Sequence, residues 1–145
     1  MVEDGSESIC SLSLPDKLQS WCGLIANKSA EYGLDPYLVS AVILQESGGQ
    51  PEVISTSGAV GLMQIMPSDG IASDFMCING PCFADRPSSE ELLNPEFNID
   101  YGVRMLSGLI GKYGSIRDGL MAYGPYNVGY YYADKVIAIY EQIRE

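Results

Sequence analysis

Apolar positions recur at helical spacing over most of the chain. After an acidic, polar start, Leu14-Pro15-Asp16 opens a helix with proline at its first position, and Leu18, Trp21, Cys22, Ile25 and Ala26 fall on one face. Gly33 is placed to cap this helix after Tyr32. Asp35-Pro36 is the next start signal, a side-chain acceptor followed by a residue with no N–H to satisfy. The segment from Tyr37 to Glu46 is apolar nearly all round, which predicts a central, buried helix rather than a surface one. Ala59-Val60-Gly61-Leu62-Met63-Gln64-Ile65-Met66 reads as a short apolar helix stopped by Pro67. Residues 68–88, with Pro81 and Pro87, read as an inserted loop. Asn94-Pro95 starts a long helix through Tyr113, with Phe97, Tyr101, Met105, Leu106, Leu109 and Ile110 as its buried stripe. A further short helix runs from Ser115 to about Tyr123 and breaks at Gly124-Pro125. The last, from Tyr130 to Arg144, buries Val136, Ile137, Ile139, Tyr140 and Ile143. No repeat and no parallel-sheet alternation is present. The fold class is mainly α, with room for a small β-ribbon at residues 50–60 or in the cysteine-bearing loop.

Glu46 breaks this pattern. It stands at the end of the buried helix, just before Ser47-Gly48-Gly49. A carboxylate there meets the unfavourable end of the helix dipole and loses solvent, and both effects raise its pKa.

Composition narrows the chemistry. At 145 residues the chain fits one domain with a real core. Residues 1–13 form an acidic flexible segment and residues 14–145 one domain. Eight Lys and Arg against 19 Asp and Glu give a net charge of −11, which disfavours nucleic acid and anionic lipid as partners. The chain has no His, which removes His-dependent triads, Cys-His nucleophile pairs and His-ligated metals. Carboxylates, tyrosines or amides must carry any catalysis. No stretch reaches the roughly 18 apolar residues of a transmembrane helix. The first eight residues are acidic where a signal peptide would be basic and then apolar.

Four cysteines stand at positions 10, 22, 77 and 82. Only the last two approach zinc-ligand spacing, so two disulfides are preferred to a metal site. Cys77 and Cys82 flank Asn79-Gly80, a strong turn signal that brings their sulfurs together, and elimination then pairs Cys10 with Cys22. Sequence alone leaves all three connectivities open. Any of them implies an oxidising, extracytoplasmic compartment, whether secreted, periplasmic or associated with a cell wall.

Several strings share one context. Gln45-Glu46-Ser47-Gly48 is followed by Ser55, by Gly58-Ala59-Val60-Gly61-Leu62-Met63-Gln64 and by Leu93-Asn94-Pro95-Glu96-Phe97-Asn98-Ile99. Together they resemble the catalytic domain of lytic transglycosylases, the soluble type related to goose-type lysozyme, over about residues 32–140. The family's last motif, an Ala-Tyr-Asn-Ala-Gly string, corresponds to Ala122-Tyr123-Gly124-Pro125-Tyr126-Asn127-Val128-Gly129, with the register anchored on Tyr126 and Tyr123 as an extra aromatic beside it. The cysteine-bearing segment 72–86 has no counterpart in the minimal family pattern.

The resemblance implies a lysozyme-like α-helical domain that cleaves the β-1,4 bond between N-acetylmuramic acid and N-acetylglucosamine in peptidoglycan strands. It implies no cofactor and no metal. Glu46 is then the acid that protonates the leaving oxygen and afterwards the base that takes the proton of the substrate's 6-hydroxyl, leaving a 1,6-anhydro end. Ser55 and Asn127 offer hydrogen bonds to Glu46 or to the acetamido group, and Gln64 binds sugar polar groups. Met66 and Tyr126 line the cleft, and Tyr126 orients the carboxyl through its hydroxyl. The chain is expected to act as a monomer or as one domain of a larger protein. A hydrolytic muramidase on the same fold is the nearest alternative, and a non-catalytic glycan-binding module is the rival from another class. The run Tyr130-Tyr131-Tyr132 offers aromatic faces suited to stacking on sugar rings, but it is read first as wedging its helix against the core.

Overall fold

The structure, a computed structural model, describes residues 10–144. A 3-10 segment at Asp16–Trp21 leads into α1, Cys22–Tyr32. The single helix expected from residue 14 is therefore two pieces, because Trp21 at the junction has φ −103° and ψ 4°, off the helical minimum. Gly33 ends α1 in the left-handed region at φ 75°. α2 spans Pro36–Glu46, and the Asp35 side chain accepts from the Tyr37 N–H at 2.9 Å.

A two-stranded antiparallel ribbon follows, β1 at Met76–Cys77 and β2 at Gly80–Pro81. It lies in the cysteine-bearing loop, after a short 3-10 turn at Gly70–Asp74. α3, Ser89–Leu92, starts on a capping box between Ser88 and Glu91. α4 spans Pro95–Tyr113, capped by Asn94. α5 is Ile116–Tyr123, capped by Ser115, and α6 is Tyr131–Ile143. The cysteines are bridged 10 to 22 and 77 to 82, with Cα separations of 6.0 and 4.9 Å. The amino-terminal residues 1–9 of the expected acidic segment lie outside the described residues.

α2 is the central helix. It packs between α1 and α6, while α4 packs on α1 and α5, and α5 on α6. Leu38, Val39, Val42 and Ile43 of α2 are wholly buried, as the all-round apolar pattern required. On α4 the fully buried residues are Asn98, Ile99, Gly102, Val103 and Leu106, so the stripe is centred about one residue later than expected: Leu106 belongs to both, Tyr101, Met105, Leu109 and Ile110 pack on the core partly buried, and Phe97 is exposed. The shift has a polar cause, since Asn98 turns inward to bond three backbone groups.

Residues 59–66 are not a helix. Val60 and Ile65 exchange both N–H···O bonds, at 2.9 and 3.1 Å, and Val60 also bridges to Ile54. The segment is a tight folded-back loop with Gly61 at φ 81° and Gln64 at φ 52°, conformations no helix contains. Val60, Leu62, Met63 and Ile65 are nonetheless buried, so the apolar content of the string was read correctly and its period was not.

Candidate active site

The end of α2 is built for a sharp stop. Ser47 and Gly48 both return N–H bonds to Ile43 and Leu44 carbonyls, and Gly48 sits at φ 64°. This leaves Glu46 as the last helical residue, half-buried. Desolvation pushes its carboxyl up from an ordinary 4.5 to about 7, opposed by a hydrogen bond that favours the ionised form. The donor of that bond is the Tyr132 hydroxyl, 2.5 Å from Oε2.

Tyr132 is in the first turn of α6 and only 5% exposed. Burial and the facing carboxyl push its own pKa far up, so it stays a donor at any ordinary pH. Tyr123, at the end of α5, is buried beside them; burial first and the Glu46 charge second push its pKa well up. Its hydroxyl donates to the Met63 carbonyl at 2.7 Å. A β-carbon at Gly124 would strike the Tyr132 ring, so the bare backbone there is what lets the ring approach the α5 terminus.

The folded-back loop is fixed against this cluster from three sides. Asn98, wholly buried, accepts from the Met63 N–H at 2.8 Å and donates to the Val60 and Leu92 carbonyls at 2.9 Å each. Ser47, next to the acid, donates to the Leu62 carbonyl at 2.8 Å. Tyr123 supplies the third tie, at Met63. Gly61 faces Asn98 so closely that any β-carbon would collide with its amide.

The residues expected at the site divide into two groups. Gln64 stands on the fixed loop, but its Nε2 donates to the Val53 and Gly61 carbonyls at 3.1 Å each, leaving Oε1 as its open atom. Ser55 caps the turn before it, its Oγ accepting from the Ala59 N–H at 3.1 Å. Met66 is half-buried and its carbonyl accepts from Arg86 at 3.2 Å. Tyr126 is 89% exposed and Asn127 is exposed at φ 67°, both on the α5–α6 connection. Among the described residues the side-chain bond to Glu46 comes from Tyr132, so the orienting hydroxyl assigned to Tyr126 belongs six residues later. Tyr132 and Asn98 are the residues the sequence reading did not assign to the site; Tyr132 had only a packing role within the tyrosine run, and Asn98 stood in a quoted string without a role. Among the described residues no three His, Cys, Asp or Glu side chains gather as metal donors.

The Transglycosylase SLT domain family model matches residues 23–142. Membrane-bound lytic murein transglycosylase E of Buchnera aphidicola is 38% identical over 106 residues, 73% of this chain and 47% of that protein. Endo-type membrane-bound lytic murein transglycosylase A of Klebsiella pneumoniae is 40% identical over 103 residues, 70% of this chain and 49% of that protein. The chain thus spans about half the length of the curated relatives it matches. The 70 kDa soluble lytic transglycosylase of Escherichia coli superposes with a TM-score of 0.65 at 25% identity, over 83% of this chain and 23% of that one. Slt of Pseudomonas aeruginosa shares the fold, with a TM-score of 0.61 at 23% identity over 82% of this chain and 23% of that one. Matched over most of its length by the family model, and at 38% and 40% identity by these relatives, the chain belongs to the Transglycosylase SLT domain family.

Proposed function

We propose that this chain is a lytic transglycosylase domain acting on peptidoglycan, with Glu46 as acid and then base. The observation that carries the reading is the Glu46 carboxyl itself, set half-buried at the end of the central helix and held by the Tyr132 hydroxyl at 2.5 Å, where desolvation pushes it up to about 7. The protonated carboxyl donates to the glycosidic oxygen as the bond to the N-acetylmuramic acid C1 breaks. The substrate's own N-acetyl oxygen steadies the anomeric centre. The carboxylate left behind takes the proton of the 6-hydroxyl as that oxygen closes on C1, giving the 1,6-anhydro end. No water is consumed and Glu46 ends as it began.

Two features support a one-carboxylate route. Among the described residues the side chain hydrogen-bonded to Glu46 is the Tyr132 hydroxyl rather than a second carboxyl, whereas most glycosidases set a second acid beside the first. The Tyr132 hydrogen bond favours the ionised form and so serves the step in which Glu46 must hold a negative charge. Ser55, Gln64 Oε1 and Asn127 are the candidate acetamido and sugar contacts, with Met66 and Tyr126 along the cleft, while Tyr123, expected among the substrate contacts, is buried with its hydroxyl on the Met63 carbonyl and holds the loop instead. Two disulfides and the wall-degrading names of the relatives support an extracytoplasmic site of action.

The test is product analysis. Digested walls should yield anhydro-muropeptides by mass spectrometry, and Glu46→Gln should yield none. Muropeptides heavier by one water would instead make the domain a muramidase, and lysis surviving Glu46→Gln would remove the acid's assignment.

A further inference from the structure

The family model begins at residue 23, yet residues 10–22 form a built element. The Cys10–Cys22 disulfide closes them into a loop, and Leu14 and Leu18 sink into the core. The Ser13 N–H donates to the Tyr37 hydroxyl at 3.1 Å, and Gln19 Nε2 donates to the Leu14 carbonyl at 2.7 Å. This loop meets the rest of the chain beside the acid. The indole N–H of Trp21, the only Trp in the sequence, donates to the Gly49 carbonyl at 2.8 Å. Gly49 is three residues after Glu46, at φ 90°, and a β-carbon on it would strike the Lys17 carbonyl.

The turn so held needs holding. Gly48 and Gly49 are consecutive left-handed glycines, the backbone with the most freedom to lose. The Gly49 N–H donates to Ser47 Oγ at 3.1 Å, and Ser47 Oγ donates in turn to Leu62. A continuous path therefore runs from the Trp21 ring through Gly49 and Ser47 to the loop that carries Gln64. We infer that Trp21 is a positioning residue: the disulfide-closed loop of residues 10–22, outside the family domain, braces the turn after Glu46 and fixes the carboxyl relative to the Gln64 loop.

The inference rests on Glu46 being the acid, and its test separates the two. Trp21→Phe keeps an aromatic ring against the core but removes the five-membered half of the indole together with its N–H. With the brace loosened, kcat should fall about tenfold with KM within about twofold, short of the 10²-fold cost of a full 1 Å misplacement. Circular dichroism should show the fold unchanged. Carbon-13 NMR of labelled glutamates, with Glu46 identified by its loss in Glu46→Gln, should show the Glu46 titration moving down towards the ordinary range as water gains access. Tyr132 and Tyr123, the titratable groups facing it, remain neutral throughout. Joint replacement of Cys10 and Cys22 by serine should act in the same direction. If Trp21→Phe leaves both kcat per folded molecule and the Glu46 titration at their wild-type values, the brace is wrong. If the wild-type protein cleaves no glycan, the functional reading fails, while the titration shift still decides whether Trp21 positions the carboxyl.

Discussion

The phenolic oxygen of Tyr132 lies 2.5 Å from Oε2 of Glu46 and joins the first turn of α6 to the last residue of α2 across 86 residues of sequence. The bond favours the ionised carboxyl, against the larger upward push of desolvation. Tyr132→Phe should therefore raise the Glu46 pKa above about 7 and carry the basic limb of the pH–activity profile upwards. Losing a charge-assisted bond of about 1.5–3 kcal/mol should lower kcat by about tenfold or more. Rates on solubilised glycan strands from pH 5 to 9 measure both. A basic limb that moves down or stays put would mean that Tyr132 is not the group opposing desolvation.

Gly124 offers a gentler probe of the same pair. Its φ of −78° suits any residue, so alanine brings no backbone strain, only a β-carbon set against the Tyr132 ring. Gly124→Ala should displace the ring and reproduce the Tyr132→Phe profile, with a loss of about 1–3 kcal/mol in stability from overpacking. Wild-type activity and pH dependence in a folded Gly124→Ala protein would show that the ring has room to yield without leaving Glu46.

The raised carboxyl also makes a stability prediction. Glu46 titrates at 4.5 in its ordinary state and at about 7 in the fold, so between those values the folded protein holds more protons than the unfolded one. Its contribution is fully present below about 4.5 and is lost as pH rises through about 7. The change amounts to about 3 kcal/mol as an upper bound for a partly exposed group. Glu46→Gln, neutral at all pH, should match wild type near pH 4 and exceed it in stability near pH 8. Urea melts at the two values test this, and a gap that does not widen with pH would rule out a desolvated carboxyl.

Features decided within a few residues were legible in the sequence. Asp35, Asn94 and Ser115 each cap the helix they were read to start, and Gly33 ends α1, because a cap depends on neighbours one to four positions away. Glu46 was legible for the same reason, as a carboxylate at an apolar helix end. Residues 59–66 were not, since Gly61 and Gln64 take their positive φ in a loop pinned by Asn98, which lies 35 residues beyond Met63. Nor was the orienting tyrosine. Tyr130, Tyr131 and Tyr132 are 37%, 67% and 5% exposed, and the docking of α6 on α2 selects the one that faces inward. An aromatic beside the Tyr-Asn string, Tyr126, was the natural local choice, and it points to solvent.

Asn98 is the residue on which the loop depends most. Its side chain satisfies one backbone N–H and two carbonyls, at Met63, Val60 and Leu92, in a place water does not reach. Asn98→Ala orphans the Met63 N–H and the Leu92 carbonyl and leaves the Val60 carbonyl with the Ile65 N–H alone, at about 1–3 kcal/mol for each buried group left unpaired, so a loss of about 2 kcal/mol or more is expected. Asn98→Asp separates the donor from the acceptor role. Its carboxylate still accepts from Met63 but sets a buried negative charge against two carbonyls, which holds its folded pKa above the unfolded value. The stability of the Asp variant should therefore fall as pH rises from 4 to 8 by more than wild type's, whereas the Ala deficit should be the same at both. Urea melts of the three proteins at the two pH values make the comparison. An Asp deficit that does not grow between pH 4 and pH 8 would mean that the Val60 and Leu92 carbonyls do not press on the side chain at position 98.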